Sequence, residues 1–206
     1  MDSKIVVALI ETIPSILWAA VVIALFCIFR REISEKLIPR LSEIEAFGVK
    51  AKLIKNELER AAQELPKGAV QNSEQVAKRA ERLSPTIQGA RILLVNDVPS
   101  QMRHVISILK SSGAIVDVET STESALAAMK HALYDVVISD MKRGNIEDEG
   151  QRFLNETVKS GIHRPTIFTV GRFQPERGVP PHAFGITNRV DDLLNLIFDV
   201  LERARG

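Results

Sequence analysis

The spacing of hydrophobic positions changes along the chain. Residues 5–29 form an almost unbroken apolar run that is followed directly by Arg30 and Arg31. Residues 32–65 then place apolar side chains at three- and four-residue intervals, which is typical of an amphipathic helix. From residue 90 onward, short apolar runs alternate with helical patterns. This order predicts one membrane segment, one juxtamembrane helical segment and a folded domain.

The apolar run is long enough to cross a bilayer once. As a helix rising about 1.5 Å per residue, its uncharged part (residues 13–29) would span roughly 26 Å, against roughly 30 Å for the hydrocarbon core. The start MDSK and the following RREISEK lack the features of a cleaved signal peptide. Basic residues follow the run, namely Arg30, Arg31, Lys36 and Arg40. By the positive-inside rule, we predict a single-pass protein of the inner (cytoplasmic) membrane, with its N-terminus outside and its C-terminal domain cytoplasmic.

The chain between the membrane segment and the folded domain divides in two. Residues 32–65 are predicted as a juxtamembrane amphipathic segment whose apolar stripe would pack against the bilayer surface or a second copy, so a homo-oligomer is expected. Within it, residues 44–53 fit either a helix or a short strand. Pro66 and Gly68 then begin a polar stretch, and residues 66–89 are predicted as a linker with a short helix.

Overall composition excludes several classes of function. A formal net charge of +1 gives no electrostatic reason to expect nucleic acid as a partner. The single cysteine, Cys27, excludes an internal disulfide and a cysteine-based zinc site. No glycine loop of the kind that cradles phosphate is present, and we expect no enzyme activity.

Residues 90–206 show strand and helix patterns that alternate five times. The predicted strands are residues 91–95, 115–118, 135–139, 166–170 and 183–187. Helical patterns follow each of them, although prolines interrupt the fourth. Continuously apolar strands separated by helices indicate a parallel sheet that is covered on both faces. The predicted fold class is therefore α/β, a five-stranded parallel doubly wound sheet preceded by one transmembrane helix and a juxtamembrane helical segment.

Acidic residues end the first and third predicted strands. Asn96 and Asp97 follow the first strand, and Asp140 ends the third. In open parallel sheets, ligands bind beyond the carboxyl ends of the strands. Two carboxylates at that edge form a candidate site for Mg²⁺, which prefers a few oxygen ligands and retains several waters.

Three segments resemble the receiver domains of two-component response regulators, the CheY-like family. They are RILLVNDVPS, YDVVISDM and EGQRFLNETV, and the resemblance covers residues 89–204. It implies a phosphorelay in which a sensor histidine kinase transfers a phosphoryl group to Asp140. It also implies that Asp97, helped by Asn96, binds Mg²⁺ together with Asp140 and the backbone carbonyl of Lys142.

This sequence departs from the receiver pattern in four places. Asn96 replaces one of the two acids after the first strand, and Val170 falls where the fourth strand should end in a hydroxyl residue, with Thr169 one place early. The lysine expected after the fifth strand is absent from residues 185–189, and prolines crowd the fourth helix at residues 175–181.

Two functions follow from these features. The first is a membrane-tethered, receiver-like signalling module with Asp140 as phosphoacceptor. The second is a non-phosphorylated pseudo-receiver that acts in protein interaction or oligomerisation at the membrane, as in stress or phage defence. Under either hypothesis, output is expected to pass through protein contacts or through the membrane segment.

Overall fold

The computed structural model describes residues 52–61 and 70–205, together with Trp18, Val49 and Gln63. Contacts along the backbone divide the chain into two units, Met1–Phe47 and Gly48–Gly206, and the fold below is that of the second. Apart from Trp18, the predicted membrane segment (residues 1–31) lies outside the described residues. Among the described helices, none has both the length and the apolar composition needed to cross a membrane.

Parallel strands form a five-stranded sheet in the order β2-β1-β3-β4-β5. Their bounds are Arg91–Val95 (β1), Ile115–Glu119 (β2), Val136–Asp140 (β3), Thr166–Thr169 (β4) and Gly185–Thr187 (β5). The central strands are apolar without a break because helices cover both of their faces. This strand order is that of the flavodoxin-like doubly wound folds, so the predicted α/β class and parallel sheet are confirmed.

The described helices follow in chain order. They are residues 52–61 (α1), Ser73–Arg82 (α2), Ser84–Ile87 (α3), Arg103–Ser111 (α4), Thr122–His131 (α5), Glu149–Lys159 (α6) and Val190–Arg205 (α7). Two 3₁₀ turns, Pro99–Met102 and Pro175–Arg177, complete the described elements.

The sheet separates two hydrophobic clusters. Alternate residues of a strand point to opposite faces, so Leu94 and Leu93 of β1 enter different clusters. The larger cluster joins the β1 residue Leu94 to the inner faces of α4 and α7, and also to Ile54, Leu58 and Val76 from the N-terminal helices. The smaller cluster packs β1 and β3 against α5 and α6. The N-terminal helices therefore extend the core on one side only.

Charged contacts hold α2 against α7. Arg79 of α2 donates to the Asp199 and Glu202 carboxylates, each at 2.5 Å, and to the side-chain oxygen of Asn195 at 3.2 Å. Its guanidinium also lies over the Phe198 ring, 5.7 Å from the centroid. Because one arginine bonds three residues spaced along α7, it fixes the angle at which the two helices cross.

Both ends of α7 are also tied to the chain that precedes the sheet. At its start, the buried Asp191 accepts hydrogen bonds from the backbone amides of Gln71 and Asn72, both at 3.1 Å. Burial acts to raise the pKa of Asp191, but Arg189 and these two amides lower it on balance. At its end, Arg205 donates to the backbone carbonyls of Thr86 at 3.5 Å and of Gln88 and Gly89 at 3.4 Å. Residues 70–89 are thus bound along the whole length of α7.

Helix α1 docks onto the same side of the domain. Ile54, Leu58 and Ala61 are at most 1% exposed and share a helical face. Next to that face, Nδ1 of His104 in α4 lies 3.1 Å from the Glu57 carboxylate. Of the ambiguous residues 44–53, those that are described (49, 52 and 53) are helical.

The segment between β4 and β5 confirms the predicted loss of the fourth helix. From residue 170 to residue 184 the described chain forms only the 3₁₀ turn Pro175–Arg177. Strand β5 is shorter than predicted because it begins at Gly185 and not at Ala183. The chain there is still in a turn, in which the Ala183 amide donates to the Pro180 carbonyl at 3.1 Å and His182 has a φ of 65°.

Truncating Leu58 tests whether α1 is part of the folded core. The substitution Leu58→Ala should lower the free energy of unfolding by about 2–4 kcal/mol, because it leaves a cavity between α1 and the domain. Leu53→Ala is the matched control, because Leu53 lies on the same helix with 48% of its surface exposed; it should cost less than about 0.5 kcal/mol. Urea unfolding of the full-length chain measures both, and equal costs would contradict the docking.

A second prediction concerns Tyr134, the only tyrosine in the chain. Its hydroxyl donates to Asp117 at 2.8 Å, and burial together with this carboxylate raises the pKa of Tyr134 to about 12. The folded pKa lies above the ordinary value of 10.0. The neutral phenol therefore contributes its full stability below about pH 10, and this contribution is lost as the pH rises toward about 12.

Phenolate absorbance of the full-length chain measures this midpoint directly. Asp117→Asn should bring it back toward 10.0, the ordinary value. A wild-type midpoint near the ordinary value, in a chain with native circular dichroism, would contradict the buried contact.

Candidate acidic pocket at the carboxyl edge of the sheet

The sheet brings two acidic side chains to the same edge. Strands β1 and β3 are neighbours, with Val95 paired to Ser139. Asp97 follows β1 by two residues and Asp140 ends β3. Because parallel strands end on the same side of a sheet, both acids reach its carboxyl edge, as the sequence predicts.

The Asp140 carboxyl group is strained electrostatically. Burial and the nearby Asp97 charge raise the pKa of Asp140, while the backbone amides of Met141 and Lys142 and the charge of Arg143 act in the opposite direction. The Asp97 charge therefore acts on Asp140, and we call the two acids at this edge of the sheet the acidic pocket. A divalent cation or a positive side chain placed between them would relieve the repulsion.

A tight turn after β3 contacts the exposed Asp97. The backbone amide of Gly144 donates to Asp97 Oδ2 at 2.7 Å, and Gly144 has a φ of 56°, a conformation that favours glycine. On either side of it, the backbone groups of Arg143 and Ile146 bond each other at 3.1 and 3.0 Å. The turn therefore holds the Asp97 carboxylate in place.

Helix α6 approaches the pocket through Gly150. A Cβ atom at this position would lie 2.7 Å from the Asp140 carbonyl oxygen and 2.9 Å from Met141 Cα. Because both atoms belong to the backbone, a side chain here would push α6 away from β3. The glycine thus lets the start of α6 form one wall of the pocket.

Two further predicted metal ligands stand beside this pair. The Asn96 side chain is buried, and its Oδ1 accepts a hydrogen bond from the Val98 amide at 2.7 Å, so this oxygen is already engaged within its own turn. The Lys142 side chain turns outward to Glu147, with 2.5 Å between Nζ and Oε1. The Lys142 carbonyl and Asn96 stay predictions as metal ligands.

The end of β4 differs from the expectation based on the sequence. Thr169, and not Val170, is the last residue of β4, and it pairs with Asp140 of β3 and Thr187 of β5. Paired residues of parallel strands point to the same face. The Thr169 hydroxyl therefore lies on the same face of the sheet as Asp140. The sequence places Val170 in this position because it predicts that β4 ends one residue later.

No lysine follows β5, and the cation found there is engaged elsewhere. Arg189 lies two residues beyond β5, and its guanidinium pairs with Asp191 at 2.5 Å and with Asp192 at 3.3 Å. Hydrogen bonding to Asp191 raises the pKa of Arg189. These contacts hold Arg189 against the start of α7.

Arg143 is the pocket residue that the sequence does not reveal. It is only 5% exposed, and burial lowers its pKa. One terminal nitrogen donates to Ser139 Oγ at 2.7 Å and to the Asp140 carbonyl at 3.0 Å. The other donates to Thr122 Oγ1 at 2.8 Å and to the Glu149 carbonyl at 3.2 Å. It thereby joins β3 to the first turns of α5 and α6.

The comparisons with known proteins give structural likeness only. No family model and no curated protein match the chain. A CheY-like receiver domain protein from Methanospirillum hungatei is 22% identical, with a TM-score of 0.48 over 56% of this chain and 96% of its own. The chemotaxis response regulator CheY4 of Vibrio cholerae is 23% identical, with a TM-score of 0.47 over 55% and 99%.

A third solved structure contains a bound metal. It is the response regulator TrrA from Thermotoga maritima in complex with Mg²⁺ and BeF, 22% identical, with a TM-score of 0.47 over 54% of this chain and 98% of its own. The assignment of the fold depends on the strand order and the parallel register of this chain itself. On that ground, the five-stranded, parallel, doubly wound α/β fold expected from the sequence is confirmed.

Proposed function

We propose that this protein is a membrane-tethered, receiver-like signalling module of the phosphorelay type, with Asp140 as phosphoacceptor. The observation that carries the proposal is that the paired strands β1 and β3 bring Asp97 and Asp140 to the same carboxyl edge of the sheet, where burial and the Asp97 charge raise the pKa of Asp140. A partly buried carboxyl group with a raised pKa at the ligand-binding edge of a doubly wound sheet is typical of a functional site.

In the proposed reaction, a carboxylate oxygen of Asp140 attacks the phosphorus of a phosphohistidine on a sensor kinase. The new oxygen–phosphorus bond forms as the phosphorus–nitrogen bond breaks, and the histidine leaves with the electron pair of that bond. Phosphoryl transfer depends mainly on positioning and on balancing the anionic charge. Gly150 lets α6 approach the end of β3, and Gly144 fixes Asp97 beside the nucleophile.

The donor set fits Mg²⁺, although with fewer charges than an all-acid site. Mg²⁺ commonly binds through one or two carboxylates and keeps several waters, and Asp97 and Asp140 supply two carboxylates. Among the described residues, no three acidic, histidine or cysteine side chains cluster to form a larger cage. When bound, Mg²⁺ would offset the charge that builds up on the phosphoryl oxygens. The proposal therefore includes weak binding of Mg²⁺.

The membrane part of the proposal comes from the sequence. Residues 5–29 supply the apolar run and Arg30 and Arg31 its basic flank, so the domain would face the cytoplasm at the inner membrane. Two proposed partners follow: a sensor histidine kinase as phosphoryl donor, and a second copy of the chain through the part of residues 32–65 that precedes α1.

Glycine amides offer direct reporters of the pocket. In the full-length chain labelled with ¹⁵N-glycine, Mg²⁺ with beryllium fluoride should shift the Gly144 and Gly150 resonances, because the trifluoroberyllate group mimics a phosphoryl group on Asp140. Gly89 and Gly113 serve as internal controls. The Gly89 amide donates to the Gly113 carbonyl just before β1 and β2 begin, at the amino edge of the sheet, opposite the pocket.

Two substitutions make this measurement specific. Asp140→Asn should abolish the shifts, whereas Asp148→Asn should keep them, because Asp148 is an exposed acid in the loop before α6. Unchanged Gly144 and Gly150 resonances in the wild type, at saturating Mg²⁺ and beryllium fluoride, would refute Asp140 as phosphoacceptor.

The second candidate is a pseudo-receiver that works by protein interaction at the membrane. One observation favours it: Arg189, the cation nearest to the missing lysine position, is paired with Asp191 and Asp192. The short turn that replaces the fourth helix agrees with this reading. The glycine experiment separates the two functions, because an interaction module would leave the pocket resonances unchanged.

A further inference from the structure

We propose that Arg143 is the fixed cation of the pocket, a positioning residue that supplies the positive charge for an anionic group on Asp140 and weakens Mg²⁺ binding. The inference deepens the proposed function and rests on it. No part of the sequence pattern or of the resemblance assigns a role to Arg143.

Among the described residues, no carboxylate group accepts a hydrogen bond from the Arg143 guanidinium. Its four hydrogen bonds end on neutral oxygens, two from hydroxyl groups and two from backbone carbonyls. The Glu149 carboxylate, whose charge acts on Arg143 most strongly, instead bonds Arg152 at 2.9 Å and accepts from Thr122 at 2.6 Å. Carbonyl and hydroxyl dipoles therefore solvate the guanidinium without cancelling its charge.

This arrangement is costly for the fold. The Arg143 Nε atom is buried without a hydrogen-bond partner, and a buried charge without an opposite charge in contact lowers stability. The side chain does pack on Phe153, with 5.7 Å between the guanidinium carbon and the ring centroid, which favours a cation. A buried cation that acts on carboxylates without a hydrogen bond to any of them is typical of a site built for charge balance.

Two other basic residues, Arg189 and Lys142, are paired with carboxylates outside the pocket. Arg189 is paired with Asp191 and Asp192, and Lys142 extends outward to Glu147. Arg143 differs from both, because it is buried, it bonds the Asp140 carbonyl, and its charge acts on Glu149 and then on Asp140 and Asp97. It can therefore attract a bound oxyanion while it repels a divalent cation.

Matched substitutions separate the charge of Arg143 from its structural contacts. Arg143→Gln removes the charge and keeps an amide donor, and Arg143→Lys keeps the charge but loses the planar fork. Titrating the full-length, ¹⁵N-glycine-labelled chain with Mg²⁺, followed at Gly144, gives the metal affinity of each variant. Adding beryllium fluoride at saturating Mg²⁺ then gives the affinity for the anion.

The charge account predicts opposite changes for the two ligands. Arg143→Gln should bind Mg²⁺ roughly fivefold more tightly and beryllium fluoride roughly fivefold more weakly, as expected for one unit charge removed at short range in a medium of intermediate dielectric. Arg143→Lys should stay within about twofold of wild type for both, by the same estimate. If the role of Arg143 were purely structural, both variants would bind Mg²⁺ and beryllium fluoride more weakly than the wild type.

The inference is overturned if Arg143→Gln binds Mg²⁺ no more tightly than the wild type while its Gly89 and Gly113 resonances stay native. If Arg143→Gln loses those resonances, Arg143→Met, which keeps the packing on Phe153, takes its place in the same comparison. A wild-type chain that binds Mg²⁺ but not beryllium fluoride would refute the proposed function alone, since the Mg²⁺ comparison still decides the role of Arg143.

Discussion

Asp97 and Asp140 repel each other at the carboxyl edge of the sheet, and much of the surrounding structure serves to hold them together. Their proximity follows from the pairing of β1 with β3, which the parallel register fixes. The Gly144 amide then holds one carboxylate, and Gly150 lets α6 close on the strand that carries the other. The buried guanidinium of Arg143 bonds the backbone carbonyl of Asp140, the last residue of β3. The pocket is thus a balance of charges set by backbone geometry.

On the opposite side of the sheet, the N-terminal helices make the domain larger than the receiver-like part alone. Helix α2 is bound to α7 through Arg79, and Asp191 fastens the chain just before it. Helix α1 contributes Leu58 to the same core. Helices α1 and α2 therefore share one core with α4 and α7.

The sequence predicts the parts of this structure that depend on local pattern. Apolar runs that alternate with helical periodicity are sufficient to predict the sheet. Acids at the ends of the predicted strands are sufficient to predict which carboxyl groups lie at its edge. Local pattern does not report contacts between distant segments. Lys142 and Arg143 are adjacent basic residues that look alike in the sequence, yet one is exposed and the other is only 5% exposed. Likewise, nothing near Asn72 indicates that its amide bonds Asp191, 119 residues away.

The most direct measurement of the central claim is the chemical trapping of the phosphorylated residue. The full-length chain is incubated with Mg²⁺ and a small acyl phosphate, which transfers its phosphoryl group and leaves as a carboxylate. Borohydride then reduces any aspartyl phosphate to the corresponding alcohol, and peptide mass spectrometry locates it. The account predicts reduction at Asp140 alone, and none in Asp140→Asn. Unmodified Asp140 in a folded chain, or modification spread over exposed acids such as Asp148, would contradict it.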